Sequence, residues 1–514
     1  MMALATVAGF FKGKSILVTG STGFLGKLLV ERILHVQPDV KKLYLLVRAP
    51  DVASAKKRVQ TEQKCVIGND LFNVLREQHG SNFNSFIEEK ISPLAGDIIS
   101  ENLGCEGSEI DGLAEELDII VNGAATTRFC ERYDVALASN ALGVLHLLQF
   151  AKQCTHIKMF LHVSTAYVGG VQESLLMEKP FKTSETLQEG AYLDIDAEIQ
   201  LVDNLKFDLK MQASDTSSVS EKEAMKDLGM KRLESTRNKI QTRHFGWSNV
   251  YVFTKAMGEM LLGHMRGELP VVIIRPSIVT STIEDPMPGW IEGIRTIDVI
   301  IVGHADQTIP CFISDCNTIV DVIPADMVIN AIIVAMAAHW NDKSQVIYHV
   351  TSSLENPLSI DTIVESMYRC FSMNPYIIKQ MGIKRERRLL LIHRYAYFIA
   401  YTFLVYKLPL EMFHVVNLLF CGLFSHQYNT LNRNYNRLMH LAKLYAPFAF
   451  FKGRFDITNA TRLRTTAGTD FVDAYKYSFD PKSVNWASYF CNVHIPALIK
   501  IAREKKSGNA CDPK

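Results

Sequence analysis

The sequence predicts a doubly wound α/β fold, a parallel sheet between layers of helices, followed by a mostly helical C-terminal part. Three observations predict it. Short apolar runs of β character alternate with helical patterns through the first third of the chain. A glycine-spaced turn ends the first such run and opens the first helix. Beyond about residue 360 the rhythm gives way to long helix-like segments.

The elements follow in order. Ser15–Thr19 is an apolar β run, and Lys27–His35 has amphipathic helical spacing. Leu43–Val47 is the second β run, and a further strand is expected just before Gly96. Asp118–Val121 and Met159–Val163 come next, with the helical stretch Leu142–Gln153 between them, and Val271–Ile274 extends the sheet. Strands separated by helices pair in parallel, because the crossover returns each strand in the same direction. Residues 171–245 break the rhythm with a charged stretch, a Ser/Thr-rich patch at Ser214–Ser220 and a helical run near Glu221–Lys239. They read as an insertion on the substrate side of the fold.

Length and pattern together divide the chain of 514 residues at about residue 360, giving 1–360 and 361–514. In the second part, Tyr395–Tyr406 and Met412–Ser425 are apolar runs separated by Lys407, Pro409 and Glu411. Each falls short of the roughly 18–20 residues a membrane-spanning helix needs. Buried core helices are the first reading; a hairpin dipping into one leaflet and the wall of an apolar tunnel are the others. The preceding Lys384, Arg385, Arg387 and Arg388 suit anionic headgroups or phosphates, or a solvated helix face.

Composition narrows the function classes. With 48% hydrophobic and 21% charged residues the chain is globular, and a net charge of +1 provides no basic field for nucleic acid. The ten cysteines are scattered without a CxxC pair, so no metal site is expected and a reducing compartment fits best. Met1–Lys14 lacks the features of a signal or transit peptide, which suggests the cytosol or a membrane's cytosolic face.

The glycine-spaced turn is Val18-Thr19-Gly20-Ser21-Thr22-Gly23-Phe24-Leu25-Gly26, spaced GxxGxxG between a strand and a helix. In that context Gly20 permits a tight turn, Gly23 a close approach to a pyrophosphate, and Gly26 close packing of helix on strand. The phosphates of a dinucleotide then meet the free N–H groups of a helix N-terminus. Thr19, Gly20, Thr22, Gly23, Phe24, Leu25 and Gly26 are therefore candidate cofactor residues, and the fold is of the Rossmann type. At the end of the second β run, where an NAD site carries an acidic residue for the ribose, this sequence has Arg48, which suits a 2′-phosphate and hence NADPH. Asp97, followed by Ile98, is placed to cap the adenine amino group. Asn122, Ala124 and Ala125 offer small residues over which the cofactor lies. Asn140 reads as structural.

Tyr251 and Lys255, at i and i+4, share one helix face. Hydride addition to a carbonyl creates an oxyanion that needs a proton. A phenol with a pKa near 10 becomes a useful acid when an ammonium and a cationic nicotinamide lower that value. Tyr251 is the candidate proton donor. Lys255 tunes it and holds the nicotinamide ribose. Thr165, or less readily Ser164 on the opposite face of a regular strand, polarises the carbonyl. Tyr167 and His162 read as packing residues. No cysteine has a sequence context that pairs it with a base, which favours direct hydride attack over a covalent intermediate.

These residues resemble the extended short-chain dehydrogenases. Glu131-Arg132-Tyr133-Asp134-Val135-Ala136, Gly246-Trp247-Ser248-Asn249-Val250-Tyr251, Arg275-Pro276-Ser277-Ile278-Val279, Pro286–Gly293, Asp321–Asp326, Asn356-Pro357 and Phe479–Trp486 narrow this. Together they resemble the plant-type alcohol-forming fatty acyl-CoA reductases over nearly the whole chain. The resemblance implies reduction of a long-chain acyl-CoA by two hydrides from two NADPH, through a bound aldehyde, with release of CoA. It adds Pro276 and Ile278 to the cofactor set, and makes residues 361–514 the C-terminal domain that helps to hold the acyl chain. It also implies residence at the endoplasmic reticulum and a role in wax, cuticle, suberin or pollen-wall lipid. Two positions depart from the family pattern: Gly26, where many members have alanine, and Asn485, where many have an acidic residue. Three other readings stay open: a reductase that stops at the aldehyde, an extended reductase acting on a sterol, flavonoid or nucleotide sugar, and a cofactor-binding protein without turnover.

Overall fold

A computed structural model describes residues 6–60, 66–105, 107–211, 217–233, 245–340, 342–373 and 388–506. The first strand, β1 (Ser15–Thr19), is buried along its whole length, as an apolar strand covered on both faces must be. Helix α1 (Phe24–Val36) follows it, then β2 (Lys42–Val47), β3 (Ile91–Ala95) and β4 (Ile119–Asn122). Next come α2 (Gly143–Gln153), β5 (Met159–Val163), α3 (Val250–Met265), β6 (Val271–Pro276), α4 (Ala325–Ala338) and β7 (Gln345–Val350). The seven strands are parallel, in the order β3-β2-β1-β4-β5-β6-β7. Strand order reverses between β1 and β4, which opens a crevice at their C-terminal ends, the place where ligands bind in such sheets. Thr19 ends β1 and Asn122 ends β4, side by side in register.

The expected α/β alternation is present, and β7 is a further strand at the β6 edge. The insertion holds helices Ile195–Met211 and Ser217–Leu233. Of the stretches singled out there, 214–216 and 234–239 lie outside the described residues.

The reading of Tyr395–Ser425 as two buried core helices is overturned. Residues Tyr395–Leu419 form one continuous helix, α5, of 25 residues with only 11% of its most apolar window buried. Pro409 does not break it, because a π turn at Phe403–Lys407 leads into Leu408–Leu419 with the proline in its first turn, where its missing N–H is tolerated. Lys384, Arg385 and Arg387 lie outside the described residues; Arg388 pairs with Glu365 at 2.5 Å and sits over the Tyr368 ring.

Helices α6 (Ser425–Ala449) and α7 (Thr458–Asp470) complete the layer that meets the α/β unit. One apolar core runs through both parts, joining Val328 and Ile332 of α4 to Leu438, Leu463, Phe490 and Leu498. Polar clasps fix the register. Glu178, from the insertion, accepts backbone N–H groups from His349 on β7 (2.7 Å) and from Asn459 and Ala460 at the start of α7. Asn356 Nδ2 donates to the carbonyls of Pro481 (2.7 Å) and Val484 (2.8 Å), while Trp486 Nε1 donates to Asn356 O (2.9 Å). His494 Nδ1 accepts from Ser281 N (3.3 Å), so the Nε2 proton points to Asp298 (3.1 Å). Asn485 caps the helical turn at Trp486–Tyr489 through Ser488 N (3.0 Å), as an acidic residue would.

Candidate active site

At the end of β1 the chain turns through Gly20 (φ +71°). A Cβ there would lie 2.7 Å from Ala124 N and Gly123 O, so only glycine lets the loop approach the strand end beside it. At Gly26 a Cβ would run into the loop's own backbone at Gly20 and Ser21. Gly23 is the N-cap of α1 and contributes no side-chain acceptor, leaving the first helical N–H groups open toward an anion. These features fit a dinucleotide's pyrophosphate. Phe24 is buried and stacked on Trp290 at 5.3 Å, and Lys27 is buried in an ion pair with Glu292 (2.7 Å), so the Pro286–Gly293 region braces the loop from behind.

The side chains of Thr19 and Asn122 are buried and bonded to each other (2.9 Å); Thr19 Oγ1 also accepts from Ala124 N (3.2 Å), and Asn122 Nδ2 lies 3.2 Å from His162 Nδ1. They hold the crevice floor, and Gly123 to Ala125 form the accessible shelf above it. Arg48 is exposed past β2, and its carbonyl accepts from Arg58 (2.6 Å). Asp97 is half-buried and bonds Ile99 N (3.2 Å). The Ile98 side chain is buried against Gly143 in the core of the β3–α2 side, which leaves its backbone as the part beside the crevice that a cofactor would meet. Pro276 is buried at the end of β6 and Ile278 is half-buried beyond it.

Asn249 caps α3 by accepting from Val252 N (3.1 Å), which places Tyr251 and Lys255 on the helix face toward β5. Lys255 is buried and donates to Val163 O at 2.7 Å; burial pulls its ammonium down to about 8, against the opposing pull of Glu259. Glu259 is itself bound by Arg275 through Nε and Nη2. Tyr251 is pushed up to about 12 by burial, partly offset by the charge of Arg295 and a hydrogen bond with Thr165. The Lys255 ammonium is turned to the β5 carbonyl, and burial is the largest influence on the phenol. Thr165 Oγ1 lies 3.4 Å from Pro276 O. Ser164 is buried with no hydrogen-bond partner for its hydroxyl among the described residues. Asn140 is structural as expected: it exchanges hydrogen bonds with the backbone of Thr126 and donates to Thr254 Oγ1, all at 3.0 Å.

An aromatic group above Tyr251 was not read from the sequence. Phe129 stacks on Tyr251 at 6.2 Å and 12°, and meets Tyr445 (6.1 Å) and Phe448 (5.7 Å) at the end of α6. No local motif signals this, since Phe129 lies more than 300 positions from Tyr445 and Phe448 in sequence.

The comparisons with known proteins agree with this architecture. Two family models, both described as male sterility protein, match residues 18–332 and 405–502, and the first is an NAD-binding model. An alcohol-forming fatty acyl-CoA reductase of Simmondsia chinensis is 42% identical, covering 97% of this chain and 99% of its own. Fatty acyl-CoA reductase 1 of Arabidopsis thaliana is 44% identical, covering 95% of this chain and 97% of its own. Among solved structures, the terminal R domain from the myxalamid biosynthetic pathway covers 98% of this chain and 93% of its own at a TM-score of 0.53 and 18% identity, a likeness of fold alone. Fold and comparisons define a nicotinamide-dependent reductase built on the extended short-chain dehydrogenase fold. Similarity at this level over nearly full length goes further, and the chain belongs to the fatty acyl-CoA reductase family.

Proposed function

We propose that this protein reduces long-chain fatty acyl-CoA to the primary alcohol, with NADPH as reductant and release of CoA. The observation that carries the reading is the pairing of near-full-length similarity to fatty acyl-CoA reductases with Thr165, Tyr251 and Lys255 gathered at the ends of β5 and α3. The main alternatives are a reductase that stops at the aldehyde and an extended reductase of other carbonyl substrates.

Gly20 to Gly26 and the α1 N-terminus hold the pyrophosphate in this reading, Arg48 the 2′-phosphate and Asp97 the adenine. When bound, NADPH supplies a hydride to the carbonyl carbon, twice per alcohol formed. Thr165, with Ser164 beside it, hydrogen-bonds the carbonyl oxygen where negative charge develops. Tyr251, held protonated by burial, donates its proton to that oxygen. Lys255 anchors the nicotinamide ribose and keeps a positive charge beside the phenolate that remains. In the first round the tetrahedral hemithioacetal collapses, breaking the C–S bond, and the thiolate leaves as CoA with a proton. The aldehyde stays in place for the second round. Two NADPH and two protons are consumed for each alcohol and free thiol produced.

Residues 1–360 form the reductase domain in this proposal and 361–514 the domain that helps to hold the acyl chain. The exposed apolar face of α5 supports peripheral attachment to the cytosolic face of the endoplasmic reticulum, with a purely cytoplasmic location as the alternative. The test is purified protein in mild detergent with NADPH and a ladder of saturated acyl-CoAs, measuring aldehyde, alcohol, thiol and NADPH consumed. Alcohol at two NADPH per CoA is the expected result. Aldehyde at one NADPH shortens the reaction, and no turnover of any acyl-CoA overturns the substrate class.

A further inference from the structure

We propose that Phe129, Tyr445 and Phe448 form the wall against which the first carbons of the acyl chain lie, so that the C-terminal region selects substrates at the reacting end. The inference rests on the acyl-CoA reading above and assigns the site's chain-contact residues.

The geometry is specific. Phe129 lies on the loop beyond β4 and presents its face to the candidate proton donor, at 6.2 Å and 12° from the Tyr251 ring. Phe448 packs against Phe129 at 5.7 Å and edge-on to Tyr167 at 5.5 Å. Tyr445, one turn earlier on α6, meets Phe129 edge-on at 6.1 Å. A wall assembled from the β4 loop and the end of α6 thus reaches Tyr251 through Phe129.

Ordinary packing between two layers is the competing account, and the burial gradient argues against it. Phe451 and Phe455, deeper in the same cluster, are buried at 7% and 0% exposure and bind Tyr167 from below. Phe129, Tyr445, Phe448 and Tyr251 itself are only half-buried. The cluster therefore runs from a closed seat to an open rim, and Phe129 on that rim stacks on Tyr251. Half-exposed aromatic faces beside a reactive hydroxyl supply the flat apolar surface a methylene chain requires.

The wall is also held rigidly, as a selecting surface must be. Pro447 lies in the last turn of α6. The carbonyl of Ala449 accepts from Ser314 Oγ (3.1 Å) and Thr318 Oγ1 (3.3 Å). The chain then returns to pair Arg454 and Phe455 in parallel with Leu175 and Leu176 of the insertion.

Because the wall sits at Tyr251 rather than far along the chain, it governs substituents near the carbonyl. The test compares a straight-chain acyl-CoA with one carrying a methyl branch on the carbon next to the carbonyl, using the full-length enzyme. Phe448→Ala and Phe129→Ala are each expected to raise the branched-to-straight ratio of kcat/KM by about tenfold or more, the scale on which one methyl group is discriminated in an apolar pocket. NADPH affinity should stay at the wild-type value. Phe448→Leu, which preserves apolar bulk and the fold, should shift the ratio in the same direction by less. An unchanged ratio in Phe448→Leu and in whichever alanine variants retain NADPH binding overturns the proposal and leaves the acyl-CoA reading standing. A wild-type enzyme that turns over neither acyl-CoA removes that reading and the proposal with it.

Discussion

Two opposing influences act on the Tyr251 phenol: burial, to which the stacked Phe129 ring contributes, favours the neutral form, and Arg295 with Thr165 favours the anion. Burial wins, which suits the proposed donor role. Tyr251→Phe keeps the ring that Phe129 stacks on and removes only the proton. Turnover is expected to fall about a hundredfold or more, with NADPH binding by fluorescence titration unchanged; substantial residual turnover would remove Tyr251 from the donor role. Lys255 gives a pH signature. Its ammonium, drawn down to about 8 by burial, is charged below that pH and neutral above it. If that charge is needed, kcat/KM declines as pH rises through about 8, and a flat profile from neutral to alkaline pH counts against the assignment. At the other end of the crevice, Arg48 stands exposed beyond β2. Arg48→Ala is expected to weaken NADPH binding while leaving NADH nearly unaffected, and equal losses for both cofactors would mark Arg48 as merely structural.

Among the elements, the joint between the insertion, β7 and α7 has an unusual centre. Glu178 is buried at 8% exposure, and burial pushes its carboxyl up to about 7 although three backbone N–H groups point at it. An acid whose folded pKa lies above its unfolded value binds more protons folded than unfolded. Its stabilising contribution is therefore complete below the unfolded value of 4.5 and is lost as pH rises toward about 7. The swing is on the order of 3 kcal/mol. Glu178→Gln, which cannot ionise, is expected to flatten the fall in thermal stability between pH 5 and 7, measured by scanning calorimetry at a series of pH values; an identical slope in the variant would assign it to other groups. The sequence does not reveal such a joint, since Glu178 looks like any polar residue of a charged stretch. What was legible is what local chemistry dictates: β1, α1 and β2 follow from apolar runs and a glycine turn, and Tyr251 with Lys255 from helical spacing. The family-marking segments were visible as motifs, but their work was not: Asn356 and Trp486 turn out to bind each other, and Arg275 turns out to hold Glu259. The direction of the Ile98 side chain was hidden for the same reason, because only the packing of α2 through Gly143 decides which way a residue beyond a strand faces.

At the scale of the whole molecule, the α/β unit and the C-terminal layer share a core that α5 enters through Phe398, yet α5 leaves Leu404, Met412, Leu418 and Leu419 between 60% and 76% exposed. Sequence reasoning missed this because Lys407, Pro409 and Glu411 divide the apolar run, whereas in the structure Lys407 and Glu411 pair with each other at 2.6 Å along a helix that continues through them. So large an apolar surface calls for a partner, and in the membrane attachment proposed above α5 would lie in the bilayer interface with its apolar side toward the acyl chains. The arrangement suits the proposed substrate: α5 packs on α6 through Thr402 and Met439, and α6 ends in the aromatic residues above Tyr251. In that proposal one helix, α6, links the lipid-facing helix to the aromatic residues near the reacting centre. Wild-type protein is expected to float with phospholipid vesicles, and Leu404→Glu combined with Leu418→Glu to remain behind, since two buried leucines contribute about 3 kcal/mol or more to such docking. Neither leucine belongs to the proposed site, so turnover of acyl-CoA in detergent should survive the double substitution. Flotation undiminished in the variant would move the contact elsewhere on the surface, and wild-type protein that never floats would return α5 to the search for a protein partner.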